Sequence, residues 1–263
     1  MAYNQLQLRE IFHLEFLRWL GRKIKAENYA LKGGVNLRFF FNSFRYSEDM
    51  DLDASGIKVD TLKEIVMKIL EARSFQEPLR PFGIEKITAP DMSKAKQTET
   101  TQRFKVHLLT AAGEDLFTKV EFSRRGFKGE MTVQPVSDAV LRSYKLPPLI
   151  CPHYSAETAV LQKAEALASR SVVQARDVFD IYILIPQVIA SPERAKQSKT
   201  FLSKSTLNKA KENALEISFE QFRDTVVSYL APEDKAVYDK AAVWDDIKLK
   251  VTGFIDKIGQ ADA

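Results

Sequence analysis

Residues 45–53 of the 263-residue chain read Arg-Tyr-Ser-Glu-Asp-Met-Asp-Leu-Asp. From Met50 to Ala54 apolar and acidic residues alternate, which predicts a short β-strand with its acidic side chains on one face. Residues two apart on a strand point the same way, so Asp49 with Asp51, or Asp51 with Asp53, could share a divalent cation. Strand spacing does not choose between these pairs. An isolated acidic pair is most often an exposed turn, so the rest of the sequence decides its interpretation.

A glycine pair precedes the acidic run by about the length of a helix. Gly33 and Gly34 follow Lys32 and lead into an apolar run over residues 35–41, which predicts a turn that opens a buried helix. Glycines let the backbone approach a ligand closely, and a helix N-terminus presents unpaired N–H groups to phosphate. A glycine pair alone is usually just a turn. Followed by a helix, Ser47 and alternating acids, it forms a far more specific pattern.

A third carboxylate comes from a later alternating segment. Residues 119–123 read Lys-Val-Glu-Phe-Ser, which predicts a strand with Glu121 on the face opposite Val120. On a neighbouring strand Glu121 could complete a two-metal site or act as a base toward an attacking hydroxyl. A single such residue is more often an ordinary surface glutamate, so this role depends on the acidic run.

The second half of the chain carries charged residues at helical spacing. Lys163 and Arg170 are seven apart, so they share a helix face and could reach a triphosphate. Asp177 and Asp180 also share a face through their i, i+3 spacing. The structural alternative is a pair of helix N-terminal acids, with an ion pair from Arg176 to Asp180.

The pattern of elements predicts an α+β fold of two domains, 1–148 and 149–263. An amphipathic helix over Leu6–Lys25, closing near Gly21, comes first. A second helix is predicted over Thr61–Ala72. The strand candidates are Met50–Ala54, Gly83–Thr88, Arg103–Thr110, Leu116–Phe122 and Met131–Val136. After Pro147 and Pro148 the pattern becomes helical, over Ala156–Ala168, Ala175–Ile185, Phe219–Tyr229 and Ala241–Phe254.

One segment of the helical half is rich in lysine. Residues 195–211 contain Lys196, Lys199, Lys204, Lys209 and Lys211 and no acid. The pattern favours a solvated linker, and the alternative is a contact with a phosphate backbone.

Composition narrows the class of protein. The chain is 45% hydrophobic and 28% charged, as is ordinary for a soluble folded protein. One cysteine excludes an internal disulfide, and three scattered histidines do not suggest zinc, so any metal should be oxygen-ligated. The first twenty residues contain charges that a signal peptide or membrane span would lack, so we expect a cytoplasmic protein without a membrane partner. The net charge of +4 is weak evidence for a polyanionic partner.

Four segments, in order, resemble the AbiEii-type abortive-infection toxins, which are minimal nucleotidyltransferases of the DNA polymerase β superfamily. They are residues 31–37, residues 45–52, the pair Lys163 and Arg170 separated by six residues, and residues 176–180. The resemblance implies a polymerase β-like mixed-sheet core followed by a helical C-terminal lobe. Position 34 is glycine where many members of the superfamily have serine, which leaves the phosphate contact there to the backbone.

The resemblance also implies roles for particular residues. It selects Asp49 and Asp51 as metal ligands and leaves Asp53 as a secondary candidate. Glu121, predicted from its own strand pattern, would be the third ligand. The nucleotide-binding set that it implies is Gly33, Gly34, Arg45, Ser47, Lys163 and Arg170. Lys163 would contact the phosphates, Arg170 would support it, and Asp177 would be a further functional acid.

The implied activity is transfer of a nucleoside monophosphate from a nucleoside triphosphate (NTP) to RNA, with the tRNA 3′ end as the leading acceptor. Two Mg²⁺ ions would bridge the carboxylates and the triphosphate. A separate antitoxin protein would be a partner. Two alternatives remain open: a nucleotidyltransferase acting on a small molecule or a protein hydroxyl, and a binding module without turnover.

Overall fold

A computed structural model describes residues 3–92, 95–190 and 202–261 of the chain. It divides into two compact units. The first contains the chain up to Phe40 together with Tyr46–His153, and the second contains Phe41–Arg45 together with the chain from Tyr154 onward. The sequence predicts a domain boundary after residue 148. In the structure the boundary between the units lies after His153, and Phe41–Arg45 also belong to the second unit.

The predicted α+β class is confirmed: a seven-stranded mixed sheet is followed by a helical C-terminal region. The strands are β1 (Tyr29–Lys32), β2 (Met50–Ala54), β3 (Ile84–Thr88), β4 (Thr101–Thr110), β5 (Asp115–Ser123), β6 (Met131–Pro135) and β7 (Ile150–Tyr154). The helices are α1 (Gln5–Gly21), α2 (Gly33–Phe40), α3 (Val59–Glu71), α4 (Arg73–Gln76), α5 (Asp138–Ser143), α6 (Ala156–Ser169), α7 (Ala175–Ile189), α8 (Lys204–Glu216), α9 (Phe219–Thr225), α10 (Pro232–Tyr238) and α11 (Ala241–Ala261). Short 3₁₀ turns cover Ala26–Asn28, Glu77–Phe82 and Val227–Tyr229.

The sheet has the order β3-β4-β5-β2-β1-β7-β6, which places the acidic strand β2 at its centre. β2 runs antiparallel to β1 and parallel to β5. The sequence analysis predicted no strand at β1 or β7. Both are short and lack alternation, because β1 is buried from Tyr29 to Leu31 and β7 contains a proline.

Helix α1 begins at a capping box, in which Asn4 accepts from the Gln7 amide and the Gln7 side chain accepts from the Asn4 amide. It ends at Gly21, as predicted. Its buried face is not purely apolar: alongside Ile11, Phe12 and Phe16 it buries four polar or charged side chains. These are Arg9, Glu10, His13 and Glu15.

The second unit surrounds an aromatic core. Phe222 stacks on Trp244 with ring centroids 4.3 Å apart, and the Trp244 indole donates to the Ile217 carbonyl at 3.0 Å. Phe44 contacts Phe179 edge to face at 5.6 Å, which explains why the short segment around Phe44 belongs to this unit.

The predicted solvated linker over residues 195–211 is wrong in its second part. From Lys204 the chain forms α8, whose first turn is capped by the Ser203 hydroxyl, and Leu207 and Ala210 are buried. Lys211 pairs with Asp256. Leu207, Ala210 and Ala214 recur at helical spacing, but the surrounding lysines obscured this apolar pattern in the sequence. Lys196 and Lys199 lie outside the described residues.

Candidate active site

Asp51 lies at the centre of the sheet, and its two neighbouring strands both present charged residues to it. The register places Asp51 opposite Lys32 on β1 and opposite Glu121 on β5. Val120, next to Glu121, is fully buried, so Glu121 lies on the open face as predicted. Strand pairing therefore brings together two carboxylates that are seventy residues apart in sequence.

The backbone of Gly33 lies directly against the Asp51 side chain. A Cβ atom at position 33 would lie 3.0 Å from Asp51 Oδ2, and the backbone φ of +69° disfavours any other residue. The first residue of α2 is therefore held against the carboxylate. Unpaired N–H groups at a helix N-terminus attract anions, so this junction could bind phosphate as well as carboxylate.

The other carboxylates of this centre each contact a basic side chain. Asp49 lies 2.9 Å from Lys119 Nζ, and Glu121 lies 2.6 Å from Arg103 Nε. Asp53 is 2.5 Å from Lys32 Nζ, and its side chain is only 7% exposed. Asp53 is therefore less accessible to a metal ion than Asp49, whose side chain is 37% exposed.

Asp51 differs from these residues, because it makes no ion pair with any side chain in the described part of the chain. Burial raises the pKa of Asp51; Lys32 and Lys119 oppose the shift, while Glu121 and Asp49 add to it. The negative charge of Asp51 is therefore incompletely compensated. A bound cation would stabilise it.

The donor set suits a hard cation, although it is not a closed cage. Within the described ranges no three His, Cys, Asp or Glu side chains are grouped as a metal site. Asp49 forms an ion pair with Lys119, and Glu121 forms one with Arg103. Mg²⁺ usually binds through one or two carboxylates together with substrate phosphates, so Asp49 and Asp51 fit such an ion.

The loop that carries Asp49 is fixed from helix α1. The Thr118 hydroxyl donates to the Glu48 carbonyl at 2.7 Å, and Thr118 Oγ1 lies 3.0 Å from His13 Nε2. Since the single hydroxyl proton of Thr118 goes to Glu48, His13 must donate through Nε2–H. Burial, with a smaller contribution from Arg9, lowers the pKa of His13 to about 3, so the ring is neutral. We call His13, Thr118 and the Glu48 carbonyl the loop anchor.

Further contacts from α1 support the same loop. Arg9 donates through Nε to the Phe117 carbonyl at 2.8 Å and lies 3.4 Å from the Glu48 carboxylate. Arg38 stacks over the Tyr46 ring at 4.4 Å and binds Glu10 at 2.7 Å. The buried charges of α1 thus position the acidic loop.

The predicted nucleotide-binding residues of this loop have local partners. The Ser47 hydroxyl donates to the Asp49 carbonyl at 2.9 Å, which tightens the turn ahead of β2. Arg45 belongs to the second unit, where its guanidinium holds both oxygens of Asp180 at 2.9 and 3.0 Å. Only 6% of the Arg45 side chain is exposed, and Asp180 engages its guanidinium, so its nucleotide-binding role stays a prediction.

Four charged residues of the second unit lie together and bind one another: Lys163, Arg170, Asp177 and Asp180. We call them, with Arg45, the helical charge cluster. Lys163 Nζ lies 2.9 Å from Asp177 and 2.6 Å from Asp180, and both carboxylates are fully buried. Arg176 is exposed and Asp180 pairs with Arg45 and Lys163, so the predicted ion pair from Arg176 to Asp180 is wrong.

The electrostatics of this cluster are those of satisfied ion pairs. Burial opposes the charge on Lys163, but Asp177 and Asp180 outweigh it and raise the pKa of Lys163. Burial likewise opposes ionised Asp180, but Arg45 and Lys163 lower its pKa. Arg170 is the accessible member, with 38% of its side chain exposed. Its Nη1 lies 2.9 Å from Asp177 Oδ2 without hydrogen-bond geometry, so it is held less tightly than Lys163.

Sequence analysis missed several residues that position the acidic loop: Arg9, Glu10, His13, Arg38 and Thr118. One signal could have found most of them. Three of these lie on α1 at positions where a polar or charged side chain interrupts the apolar pattern, and a buried polar group needs a partner.

A family model, described as the nucleotidyl transferase AbiEii toxin of type IV toxin-antitoxin systems, matches residues 15–246. The chain belongs to this AbiEii family. Family membership makes the protein a nucleotidyltransferase toxin, with an NTP as substrate, typically a divalent metal, and a cognate antitoxin. The sequence-based recognition of the family is confirmed.

Solved structures share the AbiEii fold at low sequence identity. MenT4, a nucleotidyltransferase toxin from Mycobacterium tuberculosis, is 16% identical, with a TM-score of 0.61 over 98% of this chain and 88% of that one. JHP933 from Helicobacter pylori is 18% identical, with a TM-score of 0.55 over 100% of this chain and 95% of that one. No curated protein matches the chain. Among the described residues no helix is long and apolar enough to cross a membrane.

Proposed function

We propose that this AbiEii protein transfers a nucleoside monophosphate from an NTP to the 3′ end of an RNA, with tRNA as the leading acceptor, in the cytoplasm. The observation that carries the proposal is Asp51, a carboxylate without an ion-pair partner in the described chain, beside Asp49, Glu121 and the start of α2. Asp49 and Asp51 would hold Mg²⁺, and the chemistry predicts two ions.

Charge at this centre supports a triphosphate substrate. The N-terminus of α2 attracts phosphate, whereas three carboxylates repel it. A divalent cation held by Asp49 and Asp51 would supply the missing positive charge beside the triphosphate. Gly33 and Gly34 would offer backbone N–H groups to the phosphates. The Ser47 hydroxyl, already bonded to Asp49, would shape the loop rather than bind the nucleotide.

The proposed chemistry is in-line displacement at the α-phosphorus. The acceptor hydroxyl oxygen forms a bond to the α-phosphorus, the bond to the β,γ-diphosphate oxygen breaks, and pyrophosphate leaves. We assign Glu121 to accept the hydroxyl proton, because it lies beside Asp51 and Arg103 fixes its carboxylate.

For the helical unit we propose a structural role for the buried part of the charge cluster and a phosphate-binding role for Arg170. The direct phosphate contact predicted for Lys163 would require its ammonium to leave two buried carboxylates. Arg170 keeps an exposed guanidinium and a weaker hold on Asp177. Asp177 then acts by orienting Arg170.

The proposal is tested by incubating the purified protein with total RNA and each α-labelled NTP in Mg²⁺, then mapping the labelled species. We expect label at RNA 3′ ends. Asp49→Ala and Asp51→Ala should abolish transfer while circular dichroism shows a folded protein.

The matched control is Asp60→Ala, which removes an exposed aspartate on α3 and should leave transfer unchanged. Label on protein or on a small molecule would instead support the alternative acceptors. Undiminished transfer by both Asp49→Ala and Asp51→Ala would falsify the assignment of this centre.

A further inference from the structure

One face of the sheet stays accessible beyond Glu121, toward the β4–β5 ribbon. Burial alternates along β5, where Leu116, Thr118 and Val120 are buried, whereas Phe117 and Lys119 lie on the opposite face. The same alternation on β4 leaves Arg103, Lys105 and His107 on that open face. We call Arg103, Lys105, His107, Phe117 and Lys119 the ribbon surface.

Two lysines of the ribbon surface face each other directly. Lys105 pairs with Lys119 in the antiparallel register of β4 and β5. Like charges directly opposite one another destabilise a sheet, so this arrangement favours an anion between them. Asp49 compensates Lys119, but Lys105 is exposed and makes no ion pair with the described residues. Lys105 is thus available to an external anion.

Next along the ribbon is an exposed aromatic pair. Phe117 and His107 face each other across β4 and β5 in an edge contact, with ring centroids 5.7 Å apart. Phe117 is 40% exposed, although the sheet offers a fully buried face on its other side. The His107 ring is fixed by Asp115 at 3.0 Å. An exposed, positioned aromatic ring beside cations is the combination that binds unpaired bases.

The order of these groups along the ribbon matches a polynucleotide. Across the strands, Glu121 pairs with Arg103, Lys119 with Lys105, and Phe117 with His107. An RNA strand that enters at Phe117 would thus pass Lys105 and Lys119 before it reaches the carboxylates of the candidate active site. We propose that the ribbon surface binds the unpaired 3′ end of the acceptor RNA, with a base stacked on Phe117 and a phosphate on Lys105. This inference rests on the proposed function.

The test is binding of a fluorescein-labelled single-stranded RNA of about 12 nucleotides, followed by anisotropy between about 50 and 200 mM salt. Phe117→Ala should raise Kd about tenfold and leave the salt dependence of Kd unchanged, because base stacking involves no release of counterions. Lys105→Ala should reduce the slope of log Kd against log salt by about 0.7, the value for one lost contact to single-stranded phosphate.

Matched controls separate this surface from general effects. Phe117→Tyr keeps an aromatic ring and should bind like the wild type. Lys68→Ala removes an exposed lysine on α3, and Val133→Ala trims an exposed apolar residue on β6, and neither should change Kd. Phe117→Tyr and Lys105→Ala also keep the inference testable if Phe117→Ala folds poorly.

Label transfer distinguishes the two proposals. If the wild type transfers label to RNA, and Kd and the salt slope are unchanged in Phe117→Ala and Lys105→Ala, the ribbon surface is overturned and the proposed function stands. If the wild type labels no RNA, the proposed function fails and this inference fails with it. RNA binding by the ribbon surface is supported if the wild type transfers label, Phe117→Ala has a higher Kd, and Lys105→Ala has a smaller slope of log Kd against log salt.

Discussion

Two groups of acidic side chains among the described residues differ in how their charge is compensated. In the first unit Asp49, Asp51 and Glu121 lie partly exposed on an open sheet face, and Asp51 has no ion-pair partner among the described residues. In the second unit Asp177 and Asp180 are fully buried and bound by three cations.

The difference indicates where a ligand can bind. A carboxylate whose charge is already neutralised by buried partners gains little from a metal ion, whereas an uncompensated one gains much. We therefore propose that the satisfied cluster stabilises the helical unit and that the unsatisfied centre binds the substrate. Sequence patterns alone do not separate them, because both are short runs of acids near basic residues.

The largest effect should come from breaking the satisfied cluster. Lys163→Met leaves Asp177 and Asp180 buried with fewer positive partners, so the unfolding free energy should fall by about 3–5 kcal/mol. Urea denaturation measures this. Lys250→Met removes an exposed lysine that pairs with Asp246 in the same unit, and it should cause no measurable change. Equal stability of the two variants would contradict the structural role of Lys163.

A smaller effect should come from loosening the loop anchor. His13→Leu removes the N–H donor to Thr118, so the loop that carries Asp49 is held less firmly and kcat should fall about tenfold. KM for the NTP should change little. His13→Gln supplies an N–H group at a similar position and should recover most of kcat. If both variants lose activity in parallel with thermal stability, the residue has a packing role alone.

The smallest effect concerns pH. His13 has a pKa of about 3 in the folded protein against an ordinary value of 6.5. Between those values the unfolded chain binds a proton that the folded chain does not. Stability therefore falls as pH decreases, by at most about 1.4 kcal/mol per pH unit. His13→Gln should lose less stability than the wild type between pH 7 and 6, about 0.7 kcal/mol less. Parallel pH profiles in urea denaturation would contradict a neutral buried His13.

Local alternation in the sequence was enough to predict β2 to its boundaries and to place Glu121 on the correct face. It could not show that Glu121 and Asp51 are paired, because strand register depends on long-range packing. Strand β1 escaped prediction because it is buried on both faces from Tyr29 to Leu31, and a three-residue apolar run has no diagnostic period.

The site itself was only partly predictable from the sequence. Helical spacing paired Lys163 with Arg170 and Asp177 with Asp180, but it does not reveal that the two pairs meet, or whether a buried cation serves a substrate or a neighbouring carboxylate. Arg45 reaches Asp180 across 135 residues of sequence, which no local pattern encodes. The contact of His13 with Thr118 is also long-range, so only the polar side chain in an apolar helix hinted at the loop anchor.

The most direct test of the contrast is the rate at which Asp51→Asn transfers α-labelled nucleotide to RNA, measured alongside its urea denaturation. Asparagine keeps the size of the side chain but removes the uncompensated charge, so we expect transfer to fall by about a thousandfold, or about 4 kcal/mol. Because burial raises the pKa of Asp51, its charge costs stability at neutral pH, and the variant should be at least as stable as the wild type. Transfer at the wild-type rate, or a large loss of stability, would contradict a catalytic centre at Asp51.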